Sequence, residues 1–319
     1  TMSSPIMLSM LMGAIYNLVD SIYVAQVSDL DFLALSYAYP VQLMIVAFCA
    51  GLGVGFNAIL AKRLGEGRLE DAVNAACHGF LLYGAVWLLA LIFALVGCTP
   101  FFQSCSDNPV VVQSGIAYLT ICCGLSIGLC MQFLCERILQ STGHPAGFMI
   151  VQGSGALLNI VLDPILIFGL GMGVKGAALA TIISQAVSCA WVISFLCGGK
   201  TVLRLKKENL LPGLRLMPPC IALGLSVFVM QASESVISMC FNTSLLRYGG
   251  DIAVGAMTIL SSVMQFAMLP LQGVAQGAQP ILSYNFGAKN ADRVKKTFFR
   301  LLTVSLCYSV ALWAFVMLV

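Results

Sequence analysis

The 319 residues are 60% hydrophobic and only 9% charged, with a net charge of +3 and a mean hydropathy of +0.96. An ordinary soluble domain carries about a quarter charged residues, so this composition excludes a soluble enzyme and indicates a polytopic membrane protein. No basic cluster is interleaved with aromatics, which argues against a nucleic-acid surface. The thirteen cysteines lie mostly in apolar runs, where cysteine behaves as a small hydrophobe.

Apolar segments of about 20 residues can cross a bilayer as helices. Nine are predicted, over residues 5–24, 33–60, 73–97, 110–134, 146–169, 176–197, 218–246, 253–281 and 294–319. Basic residues gather after the even-numbered spans: Lys62, Arg63 and Arg68, then Arg137, then Lys200, Arg204, Lys206, Lys207 and Arg215, then Lys289, Arg293, Lys295, Lys296 and Arg300. Only Lys175 and Arg247 fall opposite, so the positive-inside rule makes those four loops and the amino terminus cytoplasmic. Cys98 and Cys105 are expected to flank a short external loop, as two free thiols in preference to a disulfide. His78 and His144 stand far apart in sequence, so zinc chemistry has no support.

The segment 200–217 is the most charged connection and contains Pro212 and Gly213, as expected of a linker between two halves. A shift of 222 residues lays Gly51, Gly55 and Gly65 on Gly273, Gly277 and Gly287 without a gap, and pairs Asp29 with Asp251, Ala34 with Ala256 and Asp20 with Asn242. Repeats of six spans share one topology, related by an axis along the membrane normal. The expected organisation is an amino-terminal six-helix lobe (1–199), a cytoplasmic linker (200–217) and three helices of a second lobe (218–319). On this reading the chain is a fragment of a twelve-span protein.

The stretch LLNIVLDPILIF (157–168) draws attention because a carboxylate sits inside an apolar run. Asn159 and Asp163 are four residues apart and share a helix face. Pro164 removes a backbone donor beside them and is expected to bend the helix there. A charged group at membrane depth costs roughly 2.5–3.5 kcal/mol on the insertion scale, so it normally faces a cavity and has a function. Asp20, with Asn17 one turn earlier, belongs to the same repeat and is expected in the same cavity. Glu234, with Gln231 one turn before it, is the corresponding group of the second half, equally explained by a hydrogen-bonded interlock. Tyr118 and Thr181 supply hydroxyls that also serve as ordinary interhelical bonds. A proton, Na⁺ or an organic cation would each neutralise such acids, and ligands competing for one site displace each other, which is the physical core of antiport. GLGVG (51–55) lacks a strand-turn-helix context and no Walker A lysine is present, so nothing supports ATP-driven transport. No nucleophile and base pair stands out as an enzyme site.

These residues resemble the MATE (multidrug and toxic compound extrusion) transporters. The resemblance covers the whole chain and rests on Pro5 with YNLVD (16–20), AGLGVG and RLGEG around the second span, RILQSTGHP (137–145), LNIVLDPILIF, GVKGAALATIISQ (173–185) and GVAQGAQPILSYNFGA (273–288). It implies a twelve-helix, two-lobe antiporter that exports organic cations using a proton or Na⁺ gradient, without a cofactor. It further implies a cation site at Asp20, Asn159, Asp163 and Thr181 with Tyr118 nearby, a helix hinge at Pro5, and, in some relatives, a Na⁺ site using a residue near Glu234. Val227 stands where the family carries a proline. The expectation is therefore an all-α membrane protein of two six-helix repeats, the second stopping after three helices. It is expected to be a monomer in the plasma or inner membrane and not an enzyme. The alternatives are a lipid-linked glycan flippase of the wider superfamily, a channel, or a membrane scaffold that does not transport.

Overall fold

The computed structural model describes residues 3–26, 29–197 and 217–318, with some side chains inside the helices, chiefly between 232 and 266, left outside the description. Every element within these limits is helical: α1 (Ser3–Ala25), α2 (Asp29–Gly65), α3 (Leu69–Ile92), α4 (Cys98–Cys105), α5 (Pro109–Gly124), α6 (Ile127–Ser141), α7 (Pro145–Pro164), α8 (Val174–Cys197), α9 (Met217–Gly287) and α10 (Ala291–Leu318). Among the described residues five continuous spans are long and apolar enough to cross a membrane, and the bent pair α5–α6 makes a sixth. The chain is a multi-pass membrane protein. The linker expected at 200–217 lies outside the described residues except for Met217.

Four sequence expectations need correction. The third span does not end at Gly97: α3 passes through a π turn, Phe93–Gly97, into α4 and the span runs Leu69–Cys105. Pro100 has no N–H to return to the carbonyl four residues back, and the widened turn, in which the Cys98 N–H reaches Phe93 O, absorbs the mismatch. Cys98 and Cys105 thus bound a helix rather than a loop, and both are free thiols. The fourth span is two helices meeting at 42°. At that joint Ser126 Oγ donates to Cys123 O (2.8 Å) and Trp87 Nε1 donates to Gly124 O (3.1 Å), so the carbonyls released by the break are satisfied.

The fourth span also continues well past residue 134. Arg137, assigned to the loop after this span, and Glu136 beside it lie in α6, and each is only 5% exposed. Finally, no loop separates the expected seventh and eighth spans, because helical backbone continues through 247–252. No proline occurs between residues 220 and 269, so no residue there lacks the N–H that a helix needs.

A straight helix of 71 residues would reach roughly 100 Å at about 1.5 Å per residue. The two ends of α9 nevertheless rest against the same stretch of α2. Gly224 abuts Gly51, whereas Gln279 Nε2 donates to Val54 O (3.0 Å). The chain therefore bends back on itself between these contacts, its first arm antiparallel to α2 and its second parallel to it.

The repeat appears in these contacts. A Cβ at Gly65 would strike the carbonyl of Tyr284, and a Cβ at Gly287 would strike that of Lys62. Subtracting the 222-residue shift turns the first pair into the second, so the two halves meet through reciprocal glycine contacts. Carbonyl oxygens approach the facing helix at positions without a side chain, which lets the helices pack closely. The first half has two buried clusters. One surrounds Phe56, Tyr83, Leu134 and Ile138; the other surrounds Phe102, Tyr118, Leu119 and Ala177.

Candidate functional site

Helices α7 and α8 bring the predicted polar residues together. The i,i+4 spacing on α7 sets Asn159 over Asp163, and Asn159 Nδ2 donates to Asp163 Oδ1 at 3.4 Å. The same amide reaches Thr181 Oγ1 of α8 at 3.4 Å, while that hydroxyl donates to Ala177 O at 3.1 Å. Asp163 is fully buried and Asn159 is 2% exposed. After Pro164 the helix winds into a π turn, Ile165–Gly169, in which the Leu170 N–H reaches Ile165 O. The expected perturbation beside the acid is thus a change of winding at the proline.

A cavity of about 320 Å³ opens next to this trio. Asp20, Tyr118, Asn159 and Thr181 all line it, so four of the five core candidates share one space. Asp163 does not line it and is reached through Asn159, although it remains within electrostatic reach of Asp20. Tyr118 is paired with Gln42 rather than with the trio: Gln42 Nε2 donates to the phenolic oxygen at 3.2 Å. Among the described residues, Oδ1 of Asp20, Oδ1 of Asn159 and Oδ2 of Asp163 are buried acceptors without a protein donor. Unmatched buried acceptors are costly, and a proton, a hard cation or an N–H group would relieve them. Among the described residues no three His, Cys, Asp or Glu side chains converge as a transition-metal site.

The remaining candidates lie elsewhere. Glu234 is exposed on the first arm of α9, and Gln231 is half-buried one turn earlier. The side chain of Asn17 lies outside the described residues. Pro5 occupies the first turn of α1, where a proline removes no intrahelical bond.

Sequence reasoning missed the other end of the cavity, which Gln132, Glu136, Gln152, Ser184 and Gln185 line. Gln132 Nε2 donates to Glu136 Oε1 and to Gln152 Oε1, both at 2.9 Å. A signal was present in the sequence, since Gln132, Glu136 and Gln140 recur at intervals of four and continue the helix beyond residue 134.

Arg137, next in sequence, turns to the seam between the halves. Its Nη1 donates to Gln140 Oε1 (3.0 Å) and to Gln276 Oε1 of α9 (3.2 Å). Ser141 Oγ donates to Asn57 Oδ1 (2.6 Å), and Asn57 Nδ2 donates to Gln140 Oε1 (3.3 Å). The seam therefore combines backbone contacts at glycines with a buried polar lattice.

A sequence profile of MatE matches residues 5–165 and 226–319. The chain belongs to the MatE family. A multidrug export protein MepA from Staphylococcus haemolyticus is 28% identical over 303 residues, covering 92% of this chain and 65% of that protein. The chain thus spans just under two thirds of the length of such curated relatives. Among solved structures, a MOP superfamily transporter from Pyrococcus furiosus, described as having a binding pocket of reverse polarity that suggests a different function, superposes with a TM-score of 0.92 at 28% identity. A multidrug resistance MATE family transporter in an outward-facing conformation gives the same TM-score and identity. Each of these two superpositions covers 99% of this chain and 70% of the other. The MatE assignment accords with the two-repeat helical fold.

Proposed function

We propose that the protein exports small organic cations across the plasma or inner membrane, exchanging them for H⁺ or Na⁺ by alternating access of two lobes. The observation that carries this reading is the buried Asn159–Asp163–Thr181 trio, whose amide and hydroxyl residues open onto a cavity also lined by Asp20. Asp163 and Asp20 are the exchange site, Asn159 and Thr181 are neutral ligands, and Tyr118 orients groups nearby. The lobes are residues 1–199 and 218–319, joined by a cytoplasmic linker at 200–217. The amino terminus is cytoplasmic and the working unit is a monomer.

With the basic turns after α2 and α9 facing the cytoplasm, the glycine seam closes the cytoplasmic side. The cavity then faces outward. Reversal requires the seam to part. A flippase for phosphate-bearing glycans calls for cationic groups, yet among the described residues lining the cavity there is no Lys or Arg. This favours cation export.

The test uses the complete protein in inside-out vesicles, following uptake of a fluorescent lipophilic cation under an imposed pH or Na⁺ gradient. Uptake driven by one gradient in wild type and lost in Asp163→Asn is the expected result and identifies the ion. A mutant as active as wild type, or uptake indifferent to both gradients, rejects the antiport reading. Downhill flux without accumulation would mark a channel.

A further inference from the structure

The cavity carries a second carboxylate that the exchange site does not use. Glu136 is 5% exposed and receives a single neutral donor, Gln132 Nε2, at 2.9 Å. Among the described residues no cationic side chain forms an ion pair with it: the guanidinium of Arg137, whose charge acts on the acid without touching it, bonds to Gln140 and Gln276, and the ion pairs present are confined to Lys62, Arg63, Glu66, Arg68 and Asp71 at the α2–α3 turn. A buried acid without a partner charge is costly unless something supplies one.

The groups around it are oriented as acceptors. Gln132 spends its amide N–H groups on Glu136 and Gln152, which leaves its own oxygen, Oε1, buried without a donor among the described residues. Gln132 is 8% exposed, so its oxygen cannot turn to bulk water. Gln185 Oε1 and Ser184 Oγ, on α8 and lining the same cavity, are also buried without a partner among the described residues. The lining therefore presents a carboxylate and two amide oxygens as unmatched acceptors, beside a Ser184 hydroxyl that can donate as well as accept. A ligand that completes it must bring both positive charge and N–H donors.

We propose that Glu136, with Gln132 and Gln185, is the substrate-recognition subsite of the cavity, and that it selects cations bearing N–H groups, such as protonated amines and amidines, over cations that carry charge alone. The inference rests on the export reading and deepens it. The Asn159–Asp163–Thr181 end takes the coupling ion, and the Glu136 end takes the nitrogen of the substrate. Apolar neighbours in the same lining, including Leu129, Phe133 and Ile182, accommodate the hydrocarbon part of an amphiphilic amine. A quaternary or phosphonium cation satisfies the charge of Glu136 and leaves the amide oxygens unmatched, and that difference is the basis of selectivity.

Equilibrium binding to the purified complete protein, without a gradient, separates this proposal from the coupling mechanism. The probes are a lipophilic secondary amine and tetraphenylphosphonium, which has no N–H. Wild type is expected to prefer the amine. Glu136→Gln is expected to weaken amine binding by about 10-fold or more, the loss typical of a charge-assisted hydrogen bond, and to abolish the preference. Gln132→Leu, which retains the acid, is expected to reduce the preference while preserving phosphonium binding. Glu136→Asp keeps the charge and is expected to retain the preference at lower affinity. It carries the same test should Glu136→Gln not fold.

Unchanged amine affinity in Glu136→Gln, or an equal loss for both probes in Gln132→Leu, overturns the subsite. If that happens while Asp163→Asn still abolishes gradient-driven uptake, export stands and only the subsite fails. If Asp163→Asn transports normally, the export reading fails whatever the binding data show.

Discussion

Gly51 and Gly224 face each other across the seam, and each would place a new Cβ 2.8 Å from the carbonyl oxygen of the other. Ordinary van der Waals contact begins near 3.4 Å, so either alanine requires α2 and the first arm of α9 to move apart by roughly 0.6 Å. The obstructing atoms are helix backbone, which cannot rotate aside as a side chain can. Overpacking of this kind costs about 1–3 kcal/mol, and as a coupling energy that corresponds to a shift of about 5- to 150-fold in a two-state equilibrium. Once one alanine has separated the helices, the second meets less resistance. The double variant should therefore cost less than the sum of the singles, as touching residues usually do.

Cys220, 4% exposed and lying against Gly55, reports on the seam. In the complete protein with its other cysteines replaced, maleimide should label Cys220 faster in Gly51→Ala and in Gly224→Ala, by a factor in the range above, and the double variant should show a subadditive increase. Labelling at the wild-type rate in both singles would mean that the close approach does not hold the halves together, and the argument from the glycines would fail.

Other outcomes follow from single contacts. Asn159→Ala removes the amide that joins Asp163 to Thr181; it should weaken coupling-ion affinity by about 10-fold, from the 1–3 kcal/mol of an unmatched buried partner, in ion-titrated uptake. Arg137→Met deletes the bond to Gln276 and leaves Gln140 Oε1 with only the donor from Asn57; Cys220 labelling should accelerate while amine binding at Glu136 stays within twofold, a separation that binding titrations check. Gly143 has φ of 83° with open space around it, so Gly143→Ala meets only backbone strain and should lower stability by about 1 kcal/mol in denaturant titration, with transport retained.

The Asn159–Asp163 pair was legible because its signal is local. Asn159, Asp163 and Pro164 interrupt an apolar run, and helical spacing alone places the amide over the acid. The pairing with Thr181 requires knowing that α8 returns beside α7, which the family resemblance supplied and periodicity did not. Glu136 was lost to a different cause: a charge pair, Glu136–Arg137, reads as the end of a span when hydropathy is averaged. The helix instead carries both residues inward and divides them between a cavity and a seam, a division that depends on two surfaces being present at once. The reversal of α9 was hidden for the complementary reason. Segment lengths predict two spans there, yet nothing in the composition around 247–252 says that the helical backbone persists.

The reciprocal contacts at Gly65 with Tyr284 and Gly287 with Lys62 bear on how the two halves have diverged. Each contact is made by a missing side chain against a main-chain oxygen, so it constrains one residue in each half and is indifferent to what Lys62 and Tyr284 carry. A duplicated segment joined in this way is free to change nearly everywhere else. Lysine has come to stand opposite tyrosine, and Asp20 opposite Asn242, while the glycines cannot move. The faint internal symmetry of the chain, visible almost only in glycine, is what such a joint leaves behind: the ancestry is recorded in the positions where nothing could be added.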